Sequence, residues 1–283
     1  MTDFENIIAG ALGEAVIRLP MDITQALENA LEKEDSGLAR MHLQSILDNI
    51  RLAENENVPV CEDTGIQTIF IEAGYDFPYL AELVKAVPKA VKKATEEGPL
   101  RANTVNPFTG ENSGDNNGPN APPITVTMVD GQHAEVHLLP KGGGSEQMSR
   151  LWMLNPADGI EGLKKQVLKR VQEAGGRPCP PTIIGIGIGG SADMCMKLAK
   201  KSLLRPLNSE NPDPNAAALE KELLALVNKL EIGPMGMGGK TTALAVHVEY
   251  APRHPATFPV GMVMQCWCNR HFLLHFNERG VLL

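Results

Sequence analysis

Five cysteines, Cys61, Cys179, Cys195, Cys266 and Cys268, are the residues of this 283-residue chain most able to do chemistry. An odd count with no repeating spacing points away from a disulfide framework and matches no zinc-ribbon or zinc-finger template. Three of the five stand where elements should end. Cys61 opens the turn Cys61-Glu62-Asp63-Thr64-Gly65, Cys179 precedes Pro180-Pro181, and Cys266 closes an apolar run before Trp267. A ligand at the end of an element can be presented without breaking a helix or a ladder. Three thiolates on a [4Fe–4S] cluster would leave one iron open as a Lewis acid. The plain alternative is burial, because cysteine is among the most buried residue types. Cys195, within Met194-Cys195-Met196-Lys197-Leu198, reads as a helix core residue. Cys268 on a strand would share a face with Cys266, so spacing does not choose between them.

Other groups are weaker alone. Glu62 and Asp63 could serve as acid or base, or simply cap a turn. Gly142-Gly143-Gly144 after Lys141 could form a backbone nest for an anion, or a flexible loop. His254, between Arg253 and Pro255 in a rigid loop, is an unusual place for a core histidine. The run Gly185-Ile186-Gly187-Ile188-Gly189-Gly190 imitates a dinucleotide fingerprint but lacks the acidic residue that should follow. Gly233 to Thr241 imitates a phosphate loop, yet Pro234 stands where glycine is needed and a strand, not a helix, follows.

These groups must be held by elements of both kinds. Residues 1 to 55 read as helices, Gln67 to Ala73 as a strand and Tyr79 to Thr95 as a helix despite Pro88. Residues 99 to 123 form a long polar loop. Ile124 to Val129 and Glu135 to Pro140, split by Asp130-Gly131, predict a hairpin. Helices are expected over Gly159 to Ala174, Ser191 to Leu204 and Asn215 to Leu230, and strands over Thr182 to Ile188, Thr242 to Glu249 and Val260 to Cys266. The expected class is α+β, with mostly antiparallel strands. One domain is expected over residues 1–283, its helical part reaching about residue 100 and its α/β part following.

Composition narrows the partners. Net charge is -8 with no dense basic run, and aromatics are only 4%. Nucleic acid and anionic membranes are therefore excluded as expected partners. No apolar run approaches the ~18 residues of a membrane helix. The acidic start Met1-Thr2-Asp3-Phe4-Glu5 lacks the basic region of a signal peptide, so a cytoplasmic location is expected.

Taken in order, the motifs Cys61-Glu62-Asp63-Thr64-Gly65, Arg101-Ala102-Asn103, Lys141-Gly142-Gly143-Gly144-Ser145-Glu146, Cys179-Pro180-Pro181, Gly187-Ile188-Gly189-Gly190-Ser191-Ala192-Asp193, Glu231-Ile232-Gly233-Pro234, Arg253-His254-Pro255 and Cys266-Trp267 resemble one family. It is that of the iron–sulfur hydro-lyases: class I fumarate hydratases and L-tartrate dehydratases, in their α subunit or N-terminal catalytic domain. The resemblance implies a [4Fe–4S] cluster on Cys61, Cys179 and Cys266. It favours Cys266 over Cys268 through the pattern Cys-Trp-x-x-Arg, completed here by Arg270. It implies contacts from Glu62, Asp63, Arg101 and Gly144 to a C4 dicarboxylate substrate, and a proton delivered to the departing hydroxyl by Asp63 with His254. The base is implied to be a threonine of a β subunit, so the expectation is half of a two-subunit enzyme, inactive alone, with an α–α dimer contact. The loop Asn112-Ser113-Gly114-Asp115-Asn116 resembles the fumarase branch more than the tartrate branch. Glu62 departs from the family's usual glutamine. Its carboxylate could be protonated, paired with Arg101, or the mark of a different substrate. A protein without catalysis, its cysteines in the core or on a structural metal, is the alternative from another class.

Overall fold

The computed structural model describes residues 2–283. In chain order come α1 (Phe4–Ile17), α2 (Met21–Lys33), α3 (Gly37–Glu56), β1 (Ile66–Gly74), α4 (Leu80–Glu96), β2 (Ile124–Val129) and β3 (Ala134–Lys141). The short α5 (Gly143–Glu146), β4 (Arg150–Leu154), α6 (Gly159–Ala174), β5 (Thr182–Gly190) and α7 (Ala192–Ser202) follow. The last elements are α8 (Pro214–Asn228), β6 (Ala243–Arg253), β7 (Phe258–Gln265) and β8 (Phe272–Phe276). The class is α+β, as expected. No helix among the described residues is long and apolar enough to cross a membrane.

By packing, the chain divides into two compact units, and neither is one continuous stretch. The first takes the chain as far as Pro20, then Ile50–Gly143 and Arg270–Leu283; the second takes Met21–Asn49 and Gly144–Asn269. Residue 100, where the helical part is expected to give way to the α/β part, lies inside the Ile50–Gly143 stretch of the first unit.

The first unit holds a four-stranded sheet in the order β2-β1-β3-β8. One face is covered by α1 and α4. Their apolar residues recur every three or four positions, Ile8, Leu12 and Val16 on α1 and Leu83, Val87, Ala90 and Val91 on α4, so each helix has one buried stripe. These residues pack on Ile69, Ile71, Val136, Leu138 and Leu274 of the sheet. The expected hairpin of β2 and β3 does not form. Both strands pair instead with β1, β2 in parallel and β3 antiparallel. β1 lies between β2 and β3, so both of its edges are paired, and seven of its nine residues are buried.

The second unit holds a sheet in the order β4-β7-β5-β6. Every residue of β7 is buried. Alternate residues of the sheet meet helices on both sides, α6 and α8 on one face and α7 on the other. This explains the glycine run. A Cβ on Gly187 would lie 1.9 Å from the carbonyl oxygen of Cys195, and one on Gly185 would lie 2.0 Å from that of Ala199. The glycines let α7 lie directly on the strand, and no nucleotide is needed to account for them. The second glycine run leads into β6, and Lys240 at its end pairs with Asp35 at 2.6 Å. A strand, not a helix, follows the run, as expected.

Candidate functional site

In the first unit the site residues cluster on the turn before β1. Gly65 has φ +79, and a Cβ there would lie 2.6 Å from the backbone of Lys141. Only glycine allows that approach. The turn therefore sits against the end of β3, and Asp63 organises both segments. Its Oδ1 accepts from the Gly65 N–H at 2.9 Å and from the Asn103 amide at 3.3 Å. Its Oδ2 accepts from the Gly143 N–H at 2.8 Å. The anion in the glycine nest is thus a carboxylate of the chain itself. Arg270, 1% exposed, donates from Nη1 to the Asp63 carbonyl at 2.6 Å.

Arg101 is fixed at its backbone and exposed at its tip. Its N–H donates to Thr64 Oγ1 at 2.9 Å, and its carbonyl accepts from the Asn116 amide at 2.9 Å. Asn116 is buried, has φ +60, and accepts from the N–H groups of Asn103 and Thr104. The Arg101 guanidinium reaches out to Glu62, Nη1 to Oε1 at 2.6 Å, with side-chain exposures of 57% and 85%. Of the three readings open for Glu62, the structure shows the pairing with Arg101. Cys61 beside it is partly exposed.

In the second unit, Cys179 has φ +53, not the extended backbone that a following proline predicts. Its N–H closes a turn onto the Gly176 carbonyl at 3.0 Å, and its own carbonyl accepts from the Trp267 N–H at 3.2 Å. That bond sets the segment carrying Cys266 beside the one carrying Cys179. Both thiols are partly exposed, whereas Cys195 and Cys268 are buried. Burial pushes the Cys195 thiol up from its ordinary value, which suits core packing and not ligation. Gly144 is exposed at the start of this unit's second stretch. His254 is also exposed, and its Nδ1 accepts from the Ala256 N–H at 3.1 Å. An apolar groove of about 360 Å³ lined by Ile188, Leu219, Tyr250 and Phe258 contains none of the expected site residues.

The expected site residues thus fall into two sets: Cys61, Glu62, Asp63 and Arg101 in one unit, Gly144, Cys179, Cys266 and His254 in the other. Two residues that position them carried no distinct signal. Asn116 looks like any turn asparagine in a polar loop. Arg270 was legible only as part of a pattern, not as the partner of Asp63.

Residues 5–275 match the family described as Fumarate hydratase (Fumerase). The chain belongs to that family. Among its relatives is a chain of Methanocaldococcus jannaschii, provisionally named an L(+)-tartrate dehydratase subunit alpha, 45% identical over 94% of this chain and 94% of its own length. The L(+)-tartrate dehydratase subunit alpha of Escherichia coli is 36% identical over 96% of this chain and 90% of its own. That of Shigella sonnei is 35% identical over 98% and 89%. Family and relatives agree on a hydro-lyase, and their names divide between fumarate and tartrate.

Proposed function

We propose that this chain is the α subunit of a two-subunit hydro-lyase that reversibly hydrates fumarate to L-malate, with a [4Fe–4S] cluster on Cys61, Cys179 and Cys266. The observation that carries the reading is the sorting of the thiols. The three that the resemblance asks for are partly exposed, and the other two are buried. Thiolates are the donors iron–sulfur clusters take, one to each iron. Their ligands need not converge as around a single ion, and no such convergent group of three occurs among the described residues. When bound, the cluster supplies an open Lewis-acidic iron that makes the C2 hydroxyl a better leaving group.

The chain's own residues supply the rest. Arg101 offers a planar fork to a substrate carboxylate. Its exposed pair with Glu62 is worth at most about 1 kcal/mol, so substrate can take the place of Glu62. The backbone at Gly144 meets the other carboxylate without an intervening Cβ. In dehydration the C2–O bond breaks, and the departing hydroxide receives a proton from Asp63 and His254 as the acid pair. The C3 proton goes to a threonine base of the β subunit, and its electron pair forms the double bond. The relatives' designation as alpha subunits supports that partner, and an α–α contact completes the proposed assembly.

L-tartrate is the second reading, favoured by the names of the relatives. The test begins with iron and acid-labile sulfide after anaerobic reconstitution. About four of each per chain are expected. Cys61→Ser, Cys179→Ser and Cys266→Ser should each lose them, while Cys195→Ser should not. Unchanged iron in the three variants overturns the cluster assignment. Steady-state rates on L-malate and L-tartrate, with the β subunit co-expressed, then separate the substrates. A higher kcat/KM for tartrate replaces the first reading with the second.

A further inference from the structure

Arg253 ends β6 next to His254, and its guanidinium folds back over the turn that follows. Nη1 lies 3.1 Å from the His254 carbonyl, 3.1 Å from that of Pro255 and 3.0 Å from that of Thr257. The guanidinium carbon also lies 5.1 Å from the centre of the Phe258 ring, a cation–π contact that anchors it to the first residue of β7. The Thr257 N–H donates to the His254 carbonyl at 3.0 Å and closes the turn. With the carbonyls gathered on one cation, the N–H of Ala256 is left aimed at the imidazole, and it donates to Nδ1.

We infer that Arg253 is a positioning residue that fixes the tautomer of His254. The inference rests on the reading of His254 as part of the proton donor, and it adds which nitrogen presents an N–H to the departing hydroxyl. A backbone N–H can only donate, so Nδ1 must accept, and the one proton of the neutral ring stands on Nε2. Nε2 makes no bond within the turn, and the residue is exposed, so a hydroxyl can meet it. Remove the guanidinium and three carbonyls lose their common donor. The peptide of Ala256 is then free to rotate, and Nδ1 competes with Nε2 for the proton. Lysine keeps the charge but loses the planar fork and most of the stacking, so it restores the turn only in part.

The test is long-range proton–nitrogen correlation NMR on the full chain with its histidines labelled with nitrogen-15, at a pH above 8. His254→Asn assigns the signal by its loss. In the native chain, His254 is expected to show an unprotonated Nδ1 and a protonated Nε2. In Arg253→Ala the two nitrogen shifts should move toward each other, with those of buried His247 unchanged as the measure of an intact fold. Arg253→Lys should move them less, and it carries the test if the alanine variant does not fold. An unaltered His254 tautomer in either folded variant overturns the inference. With the β subunit present, Arg253→Ala should lower kcat at least tenfold and leave KM within about twofold. Averaged tautomers with full kcat would uphold the lock and remove His254 from the reaction. A fixed tautomer with reduced kcat would overturn the lock and leave the acid assignment standing.

Discussion

At Asp63 one carboxylate gathers three donors, and at His254 one guanidinium gathers three carbonyls. Both turns are held by a single charged side chain, but in the first that side chain is itself the expected catalytic group. Asp63 is bound at both oxygens and cannot be changed without loosening the turn. His254 is held by its neighbour, and only one ring nitrogen is used in holding it. The lesson is that the two halves of the expected acid pair carry different structural burdens, so substitution should separate them.

The largest effect should come from paired asparagine variants. Asp63→Asn places an N–H against a donor that Asp63 now satisfies. A loss of about 1–3 kcal/mol in stability is expected, with activity falling roughly 10²–10⁴-fold. His254→Asn should lose activity on the same scale yet stay within about 0.5 kcal/mol of native stability. The asparagine oxygen can accept from the Ala256 N–H two residues on. Urea denaturation beside turnover assays decides it, and equal stability losses at the two sites would break the contrast.

His247 sharpens the contrast from within the second unit. It is 2% exposed, and neither ring nitrogen has a partner among the described residues. Burial, then the nearby charge of Arg205, pulls its pKa from 6.5 to about 4. As pH falls below 6.5, the unfolded chain takes up a proton that the folded chain refuses until about pH 4. Stability should therefore decline through that window by about 3 kcal/mol in all. His247→Leu should remove that part of the decline in denaturation curves collected from pH 7 to 4. His254→Asn should leave it in place.

Smaller effects test the edges of each half. Cys179 holds a left-handed backbone that costs an L residue roughly 1–2 kcal/mol. Cys179→Gly should stabilise the cluster-free chain by about 1 kcal/mol and still bind no cluster. Cys179→Ser should bind none without that gain. Smallest of all, Glu62→Gln removes the competing partner of Arg101 and a negative charge near a dianionic substrate. KM should fall about threefold at low ionic strength with kcat unchanged, and the gain should fade as salt is added. A rise in KM would mean that Glu62 binds substrate itself.

What the sequence made legible follows the range of the physics involved. α4 and α6 are marked by apolar stripes that any local window detects, and Pro88 sits inside α4 without ending it. β4 and β8, five residues each, give too short a pattern to be seen. The β2–β3 hairpin failed for another reason. Asp130-Gly131 does mark a turn between two strands, but pairing depends on which strand fills the centre, and that is a property of the whole sheet. The site divides in the same way. Cys61, Cys179 and Cys266 stood out at element ends, and Glu62 with Arg101 was among the expected pairings. Asn116, which pins the Arg101 backbone from 15 residues away, left no trace in spacing.

The interleaving of the two units also sets an order of events on the ribosome. β3 is complete at Lys141, but its neighbour β8 is not made until Phe276. All four strands of the second sheet are synthesised in between. Domains form as their parts emerge, so the second sheet can close while β3 still offers an unpaired edge beside Val136 and Leu138. Such an edge recruits other chains. The nascent chain is thus most vulnerable to aggregation late in its synthesis, and a stall before residue 272 would leave the half that carries Asp63 unfinished beside a half that carries His254 already folded.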